Sequence, residues 1–494
     1  MKTRPNVIFF VPDEWRGDVL GHVGNPAAKT PHLDEVVAET GVSFANAFCQ
    51  NPVCTPSRCS FMSGWYPHVR GHRTMYHMLR PDEPILLAEL KAAGYRVWWG
   101  GKNDLIPADA DPSFLSKVAD VRYRAERDPA VSLSSGPPER EWRGEPGDPR
   151  YYGFYQGRLG RPGEPWVDRD RATIDRALAS IAEMTHQDQP FAVYLALIHP
   201  HPPYGVPAPW DQAIERDRLP PRRIATDFSR KPSMLRWIRQ HQGLGDWPES
   251  DWNELRGVYY GMCARMDSLF GELVDGLKAL DCYDDTALLF FSDHGDFAGD
   301  YGLVEKTQNT FEDCLTRVPL IIKPPAGQAV IPGVRAQLCE LVDLPATVCD
   351  LVGIGWPHPG FSRSLVPLLS DCGRPHRDAV FAEGGRLAHE RQCMELASLG
   401  GQQPTGLYWP RLSAQRNAGP EHTKAIMCRS ERYKYVYRHD EMDELYDLAE
   451  DPMESVNRSG DPVLAEVEAG LRDRVFRWLV ETADVVPLRA DARE

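Results

Sequence analysis

Residues 6–14, NVIFFVPDE, set the β-rich run Asn6 to Val11 directly before Pro12 and the carboxylates of Asp13 and Glu14. A run of this kind, without polar alternation, reads as a strand buried on both faces. The arrangement returns in FAVYLALIHPHP (191–202), where the strand Phe191 to Ile198 precedes His199 and His201. It returns again in ALLFFSDHGD (287–296), where Ala287 to Ser292 precedes Asp293 and His294. Arg96 to Trp99 and Val318 to Ile322 read as further strands. Helical patterns at Pro84 to Tyr95, Arg169 to Met184 and Trp252 to Leu280, the last as one or two helices, fall between them. This alternation predicts an α/β fold: a large mixed, mostly parallel sheet flanked by helices. In an open sheet the carboxyl ends of the strands form the ligand crevice, so the polar groups that follow these runs are expected to converge.

Outward from this core, residues 111–168 are rich in Pro, Gly, Arg and Asp and read as a long insertion with little regular structure. A second polar insertion covers roughly 220–249. After a helical pattern at Leu344 to Val352 the chain passes through Gly353, Gly355, Pro357, Pro359 and Gly360. A new arrangement then starts near Pro375, with strands at Ala379 to Ala382 and Tyr433 to Tyr437 and a final helix from Leu464 to Thr482. The expected division is a catalytic α/β domain over 1–374 and a smaller α+β C-terminal domain over 375–494.

Composition narrows the partners. With 42% hydrophobic residues, the 494-residue chain has ample material for a large core, which excludes disorder as its main state. A net charge of −15 disfavours capture of a nucleic acid over the whole surface, while a local basic pocket stays allowed. No run approaches the roughly 20 apolar residues that span a bilayer, and the N-terminal apolar stretch is short for a signal sequence. Together with 11 scattered cysteines lacking CxxC pairs, this leads to the expectation of a cytoplasmic protein with reduced thiols. Cys49, Cys54 and Cys59 are evenly spaced but match no standard zinc or iron–sulfur pattern.

A carboxylate-rich set with one imidazole suits a hard divalent cation such as Ca²⁺, Mg²⁺ or Mn²⁺. The sharpest motif is CTPSRCSFMSGWYPHVRGH, residues 54–72. It resembles the signature of the type I sulfatases, C/S-x-P-S-R followed by a short helix and Thr-Gly. Cys54, Pro56, Ser57 and Arg58 all match, and Ser63-Gly64 replaces Thr-Gly. VPDEWRGD resembles that family's first metal-ligand strand, FFSDHGD its second, VEKT its later lysine segment and ELYDLAEDPMESVN its C-terminal sequence. The likeness spans nearly the whole chain.

The resemblance implies an alkaline-phosphatase/sulfatase-like fold, with Cys54 oxidised to formylglycine by a formylglycine-generating enzyme. It implies Asp13, Glu14, Cys54, Asp293 and His294 around one divalent metal, Ca²⁺ before Mg²⁺ or Mn²⁺, with Glu14 where many relatives have a second Asp. Arg58, Lys102, His201 and Lys306 then hold the formylglycine and the sulfate oxygens. In the family mechanism one hydroxyl of the aldehyde hydrate attacks sulfur and the other expels sulfate from the covalent intermediate. Two departures stand out. GKND replaces the usual G-K-W-H, so Asp104, or else His68, His72 or His199, takes a proton-transfer or substrate-binding role there. SDHG replaces SDNG, a version also found in related phosphonate monoester hydrolases and phosphodiesterases.

The expected function is hydrolysis of a sulfate monoester on a carbohydrate, small organic or aryl alcohol. The alternatives are a phosphonate monoester hydrolase or phosphodiesterase of the same superfamily, and a non-catalytic binder of sulfated ligands. Cys54 alone would also fit a metal-activated thiol or a buried structural cysteine. Arg16, Trp65, Arg70, His72, Arg73, Trp99 and Tyr204 are candidate pocket walls. Which ester is cleaved and the oligomeric state are left open by the sequence.

Overall fold

The computed structural model describes residues 4–107, 139–161, 167–390, 403–417 and 419–488. In chain order the strands are β1 (Asn6–Asp13), β2 (Val42–Phe48), β3 (Arg96–Gly101), β4 (Tyr155–Leu159), β5 (Phe191–Pro200), β6 (Tyr204–Pro207) and β7 (Thr286–Phe291). They continue with β8 (Arg317–Val318), β9 (Leu320–Lys323), β10 (Gly333–Glu340), β11 (Val380–Gly384), β12 (Ala425–Arg429), β13 (Tyr433–Arg438) and β14 (Glu444–Asp447).

The main sheet has eight strands in the order β10-β2-β9-β7-β1-β5-β3, with β8 paired to β2. The β3-β5-β1-β7 block is parallel throughout, as is the β10-β2 pair, and only β8 and β9 run against their neighbours. The expected mixed, mostly parallel sheet is therefore present.

β1 explains why this sheet is central. Ile8 and Phe10 face a core shared with the helices Arg169–Thr185 and Glu249–Ala279. Val7, Phe9 and Val11 face a second core shared with Leu86–Ala92 and Leu344–Leu351. A strand buried on both sides needs the unbroken apolar run seen in its sequence.

The structure settles one element of the sequence reading and departs from it at two places. The Trp252 to Leu280 pattern is one 31-residue helix that begins at Glu249. Within the 111–168 insertion, whose larger part lies outside the described residues, the helix Glu139–Arg143 and β4 do form, and β4 pairs with β6. β2 and β10 were not anticipated because Asn46, Arg335 and Gln337 interrupt their apolar pattern. Those polar groups are used locally: Asn46 donates to Ala336 O at 2.8 Å and Arg335 to Leu368 O at 2.9 Å.

The C-terminal residues form a separate antiparallel sheet, β11-β12-β13-β14, which packs with the helix Ala465–Thr482 through Phe381, Tyr435, Leu445, Val475 and Trp478. No helix among the described residues is long and apolar enough to cross a membrane.

Candidate active site

The helix Cys54–Ser63 begins where extended Val53 (φ −138°) turns into the first helical residue. It stops at Gly64, whose φ of 71° favours glycine and whose N–H caps Ser60 O at 2.9 Å. Pro56 is tolerated because it lies in the first turn. Cys54 and Arg58 are four residues apart and so share one helical face. That face meets the ends of β1 and β7. Arg58 donates from Nη2 to Asp13 Oδ2 (2.8 Å) and from Nε to Asp293 Oδ2 (2.9 Å), and Ser57 Oγ donates to Asp293 O at 2.6 Å.

Around Cys54 the distances are short. Its Sγ lies 3.5 Å from Asp13 Oδ1, 3.2 Å from His294 Nε2 and 3.5 Å from Lys102 Nζ. Lys102 follows β3, donates to Asp13 Oδ2 at 2.7 Å and pairs with Asp104 Oδ2 at 2.9 Å. Lys306 Nζ donates to Glu14 Oε2 (2.6 Å) and to His201 Nε2 (3.0 Å), and lies 3.0 Å from Glu305 Oε1. His201 Nδ1 donates to Pro202 O at 2.6 Å, which leaves Nε2 as the acceptor facing Lys306. The sequence-expected residues Asp13, Glu14, Cys54, Arg58, Lys102, Asp104, His201, Asp293, His294 and Lys306 thus form one connected cluster.

The donor set fits a divalent cation. Ligand atoms of Asp13, Cys54, Asp293 and His294 all lie within 4.8 Å of one another and are buried, and Asp13, Glu14 and His201 form an overlapping group. His294 Nδ1 donates to Gly295 O at 2.9 Å, so its Nε2 lone pair points at Asp13 Oδ1 (3.6 Å) and Asp293 Oδ1 (3.8 Å). A lone pair turned toward carboxylate oxygens is unfavourable unless a cation lies among them. Glu14 Oε1 is also buried and, among the described residues, faces the Asp296 carboxyl without a cationic or N–H donor of its own.

Electrostatics divide the site. Burial alone would raise Asp13, but Lys102 and Arg58 more than offset it and hold its carboxyl well below the ordinary range. Burial pushes Glu14 up against the pull of Lys306. Burial also pushes the Cys54 thiol well up, with Asp13 adding to the effect, so the pocket does not favour a thiolate. His294 and His201 are both held below the usual imidazole value, chiefly by burial; Lys306 deepens the shift at His201, whereas Asp293 opposes it at His294. Neutral imidazoles of this kind are ready to act as ligand or acceptor.

Several candidates are placed elsewhere. His68 is tied to Glu383 and Thr482 O, His72 to His77 O and Glu83, and His199 to Arg265 and Asp170, so each is engaged outside the Cys54 cluster. Asn103 is structural: its Oδ1 accepts from Leu105 and Ile106 N–H. Of the proposed walls, Arg16 holds Asp18 and Asp300, Trp65 donates to Pro359 O, Arg70 pairs with Asp82 and Glu83, and Arg73 pairs with Glu390. Trp99 packs edge-on to Tyr194. Tyr204 does border the cluster, donating to Asp296 Oδ1 at 2.7 Å and accepting from Glu305 N. Cys49 and Cys59 bond to Leu315 O and His77 O, so they do not join Cys54 in a thiolate cluster.

Glu305 and Tyr194 were missed. Glu305 flanks Lys306 in VEKT, a carboxylate beside a buried ammonium. Tyr194 is the one hydroxyl inside the apolar run of β5, and a buried tyrosine OH needs a partner; here it accepts from Arg58 Nη1 at 3.4 Å.

A family model described as Sulfatase matches residues 5–354. Arylsulfatase K of Danio rerio is 27% identical over 414 residues, which cover 77% of this chain and 71% of that protein. The phosphonate monoester hydrolase structure of Agrobacterium radiobacter superposes with a TM-score of 0.74 at 23% identity, covering 97% and 96% of the two chains. A structure in complex with its substrate D-glucosamine-2-N,6-O-disulfate superposes with a TM-score of 0.67 at 18% identity, covering 99% and 100%. At these identities the two structures show the shared fold.

Proposed function

Since the chain belongs to the sulfatase family and is a sulfuric ester hydrolase, we propose that it cleaves a sulfate monoester, carried by a saccharide or small organic alcohol, at Cys54 converted to formylglycine. The observation that carries this reading is the helical face on which Cys54 and Arg58 together meet Asp13 and Asp293. The sulfated saccharide bound in the structural neighbour supports the substrate class.

Asp13, Glu14, Asp293 and His294 would hold the metal, Ca²⁺ in our reading, which when bound polarises the reacting oxygens and offsets the surplus of carboxylates. Lys102, 3.5 Å from Cys54 Sγ, and Lys306, held by Glu14, would take up the sulfate oxygens, while Arg58 orients the carboxylates of Asp13 and Asp293. His201, neutral and hydrogen-bonded to Lys306, would fix that ammonium and accept or return a proton near the leaving oxygen. Conversion of Cys54 would require a formylglycine-generating enzyme as maturation partner.

Asp104 acts through Lys102. Its carboxylate and that of Asp13 share the one ammonium, so Asp104→Ala is expected to let Lys102 swing onto Asp13 and lower kcat roughly 10- to 100-fold. Saturating kinetics check this; an unchanged kcat would remove Asp104 from the reaction.

A second reading rests on His294, an imidazole where the sulfatase motif SDNG that this segment resembles has an amide, and on the fold shared with a phosphonate monoester hydrolase. The deciding measurement is kcat/KM for a sulfate monoester against a phosphonate monoester and a phosphodiester with the same leaving alcohol. A preference for sulfate of roughly tenfold or more is expected; a preference for either phosphorus ester would make the second reading the correct one.

A further inference from the structure

The C-terminal segments carry buried polar side-chain atoms for which the described residues supply no hydrogen-bond partner. His422, closing the short turn Pro420–His422, is 2% exposed, and neither ring nitrogen is hydrogen-bonded. Gln415, on the helix Trp409–Arg416, is 1% exposed, and both its amide nitrogen and its amide oxygen lack partners. Buried imidazole and amide groups normally find partners, so an unsatisfied pair in one region points to a ligand.

Arg386 joins the two residues: its backbone N–H donates to His422 O at 3.0 Å and its Nη2 to Gln415 O at 3.2 Å. Burial, then the guanidiniums of Arg386, Arg411 and Arg73, hold His422 down to about 3, so at neutral pH the imidazole is uncharged in a positive surround. An uncharged imidazole keeps one N–H to donate, and Gln415 offers an amide donor.

This region adjoins the catalytic cluster. Arg411 Nε lies 3.5 Å from Glu305 Oε2, and the other oxygen of Glu305 lies 3.0 Å from Lys306 Nζ. One carboxylate therefore bridges the lysine assigned to the sulfate ester and the Arg411 guanidinium. Asn309 Nδ2, three residues past Lys306, donates to Glu421 O and Thr423 O on either side of His422 and ties the turn to the catalytic loop.

We propose that His422, Gln415 and Arg411 form a second anion subsite, which receives a further anionic substituent, a carboxylate or a second sulfate, on the same sugar whose sulfate ester is cleaved at residue 54. The inference rests on the sulfatase reading and narrows its substrate to doubly anionic saccharides. Charge from the guanidiniums and N–H donors from His422 and Gln415 would together match an oxyanion.

The test is calorimetric titration of the full-length Cys54→Ala protein in Ca²⁺ buffer with three monosaccharides: one bearing a single sulfate ester, one bearing two, and one bearing a sulfate ester and a carboxylate. At least one doubly anionic sugar is expected to bind roughly tenfold tighter than the singly sulfated one, and whichever is preferred identifies the second anion. His422→Leu and, separately, Gln415→Leu in the same background should each shrink that preference severalfold. Equal affinity for all three sugars in the parent protein overturns the proposal, and so does a preference that persists in a folded variant. Turnover by the Cys54-containing enzyme separates the two readings. Hydrolysis of sulfate esters without a doubly anionic preference rejects only the subsite, whereas no hydrolysis of any sulfate ester rejects the reading on which it stands.

Discussion

Cys54→Ala is expected to abolish sulfate ester hydrolysis, by roughly 10⁴-fold or more, while leaving the fold intact. The fold should survive because Sγ makes no strong hydrogen bond: its neighbours Asp13, His294 and Lys102 lie at 3.2 to 3.5 Å, and each has other partners. Alanine also suits the first position of the helix Cys54–Ser63, so a stability change of about 1 kcal/mol or less is expected. Activity should not survive, because residue 54 is the proposed nucleophile and Asp13, His294 and Lys102 all lie against its Sγ. Initial rates with an aryl sulfate, alongside a thermal unfolding curve, check both halves; near-wild-type hydrolysis by the variant would remove residue 54 as the nucleophile.

The companion measurement is the mass of the tryptic peptide Thr30 to Arg58 from protein made alongside a formylglycine-generating enzyme. The aldehyde mass is expected in active preparations. Full activity with an intact thiol would leave the site in place and discard the modification.

The sequence exposed most of this site because its ligands stand where buried strands stop. Asp13, Asp293 and His294 break apolar runs that leave no other account of a carboxylate or imidazole at that point, and the Cys54-to-Arg58 spacing is one helical turn. Partners drawn from distant segments were illegible. That Asp104 serves Lys102, that Asn103 merely closes a turn, and that Glu305 joins Glu14 and His201 around Lys306 depend on which way each side chain leaves a loop, and no periodicity reports that. The histidines offered in place of the missing family residue failed for the same reason: His68, His72 and His199 lie near candidate motifs in sequence, yet each is held by a carboxylate belonging to another segment. The fold shows the same division. β1, β5 and β7, apolar on both faces, were plain, whereas β2 and β10 carry polar residues whose partners, Ala336 for Asn46 and Leu368 for Arg335, come from other segments of the chain.

The second large effect lies away from the chemistry. Lys434, on β13 and 1% exposed, donates from Nζ to Phe311 O at 2.8 Å and pairs with Asp313 Oδ1 at 2.5 Å and with Glu454 Oε1. Asp313 opens the short helix Asp313–Thr316, whose carbonyls at Cys314 and Leu315 receive the N–H groups of Asp296 and Gly295, directly after the ligands Asp293 and His294. One ammonium on the C-terminal sheet thereby fixes the backing of the metal-ligand loop. Replacing it in Lys434→Met leaves two buried carboxylates short of a cation, at a cost of about 3–5 kcal/mol. Burial alone would raise Asp313, but Lys434 and Arg429 hold its carboxyl far below the ordinary range, so this stabilisation is present at neutral pH and is lost only as strong acid protonates the group. The expected result is a lower urea midpoint for Lys434→Met at pH 7, with the gap to wild type narrowing as the pH falls below the ordinary carboxylate range. Adding Glu454→Gln to Lys434→Met should recover part of the loss by removing one uncompensated charge, whereas additive losses in the double variant would show that Lys434 acts by packing and not by charge.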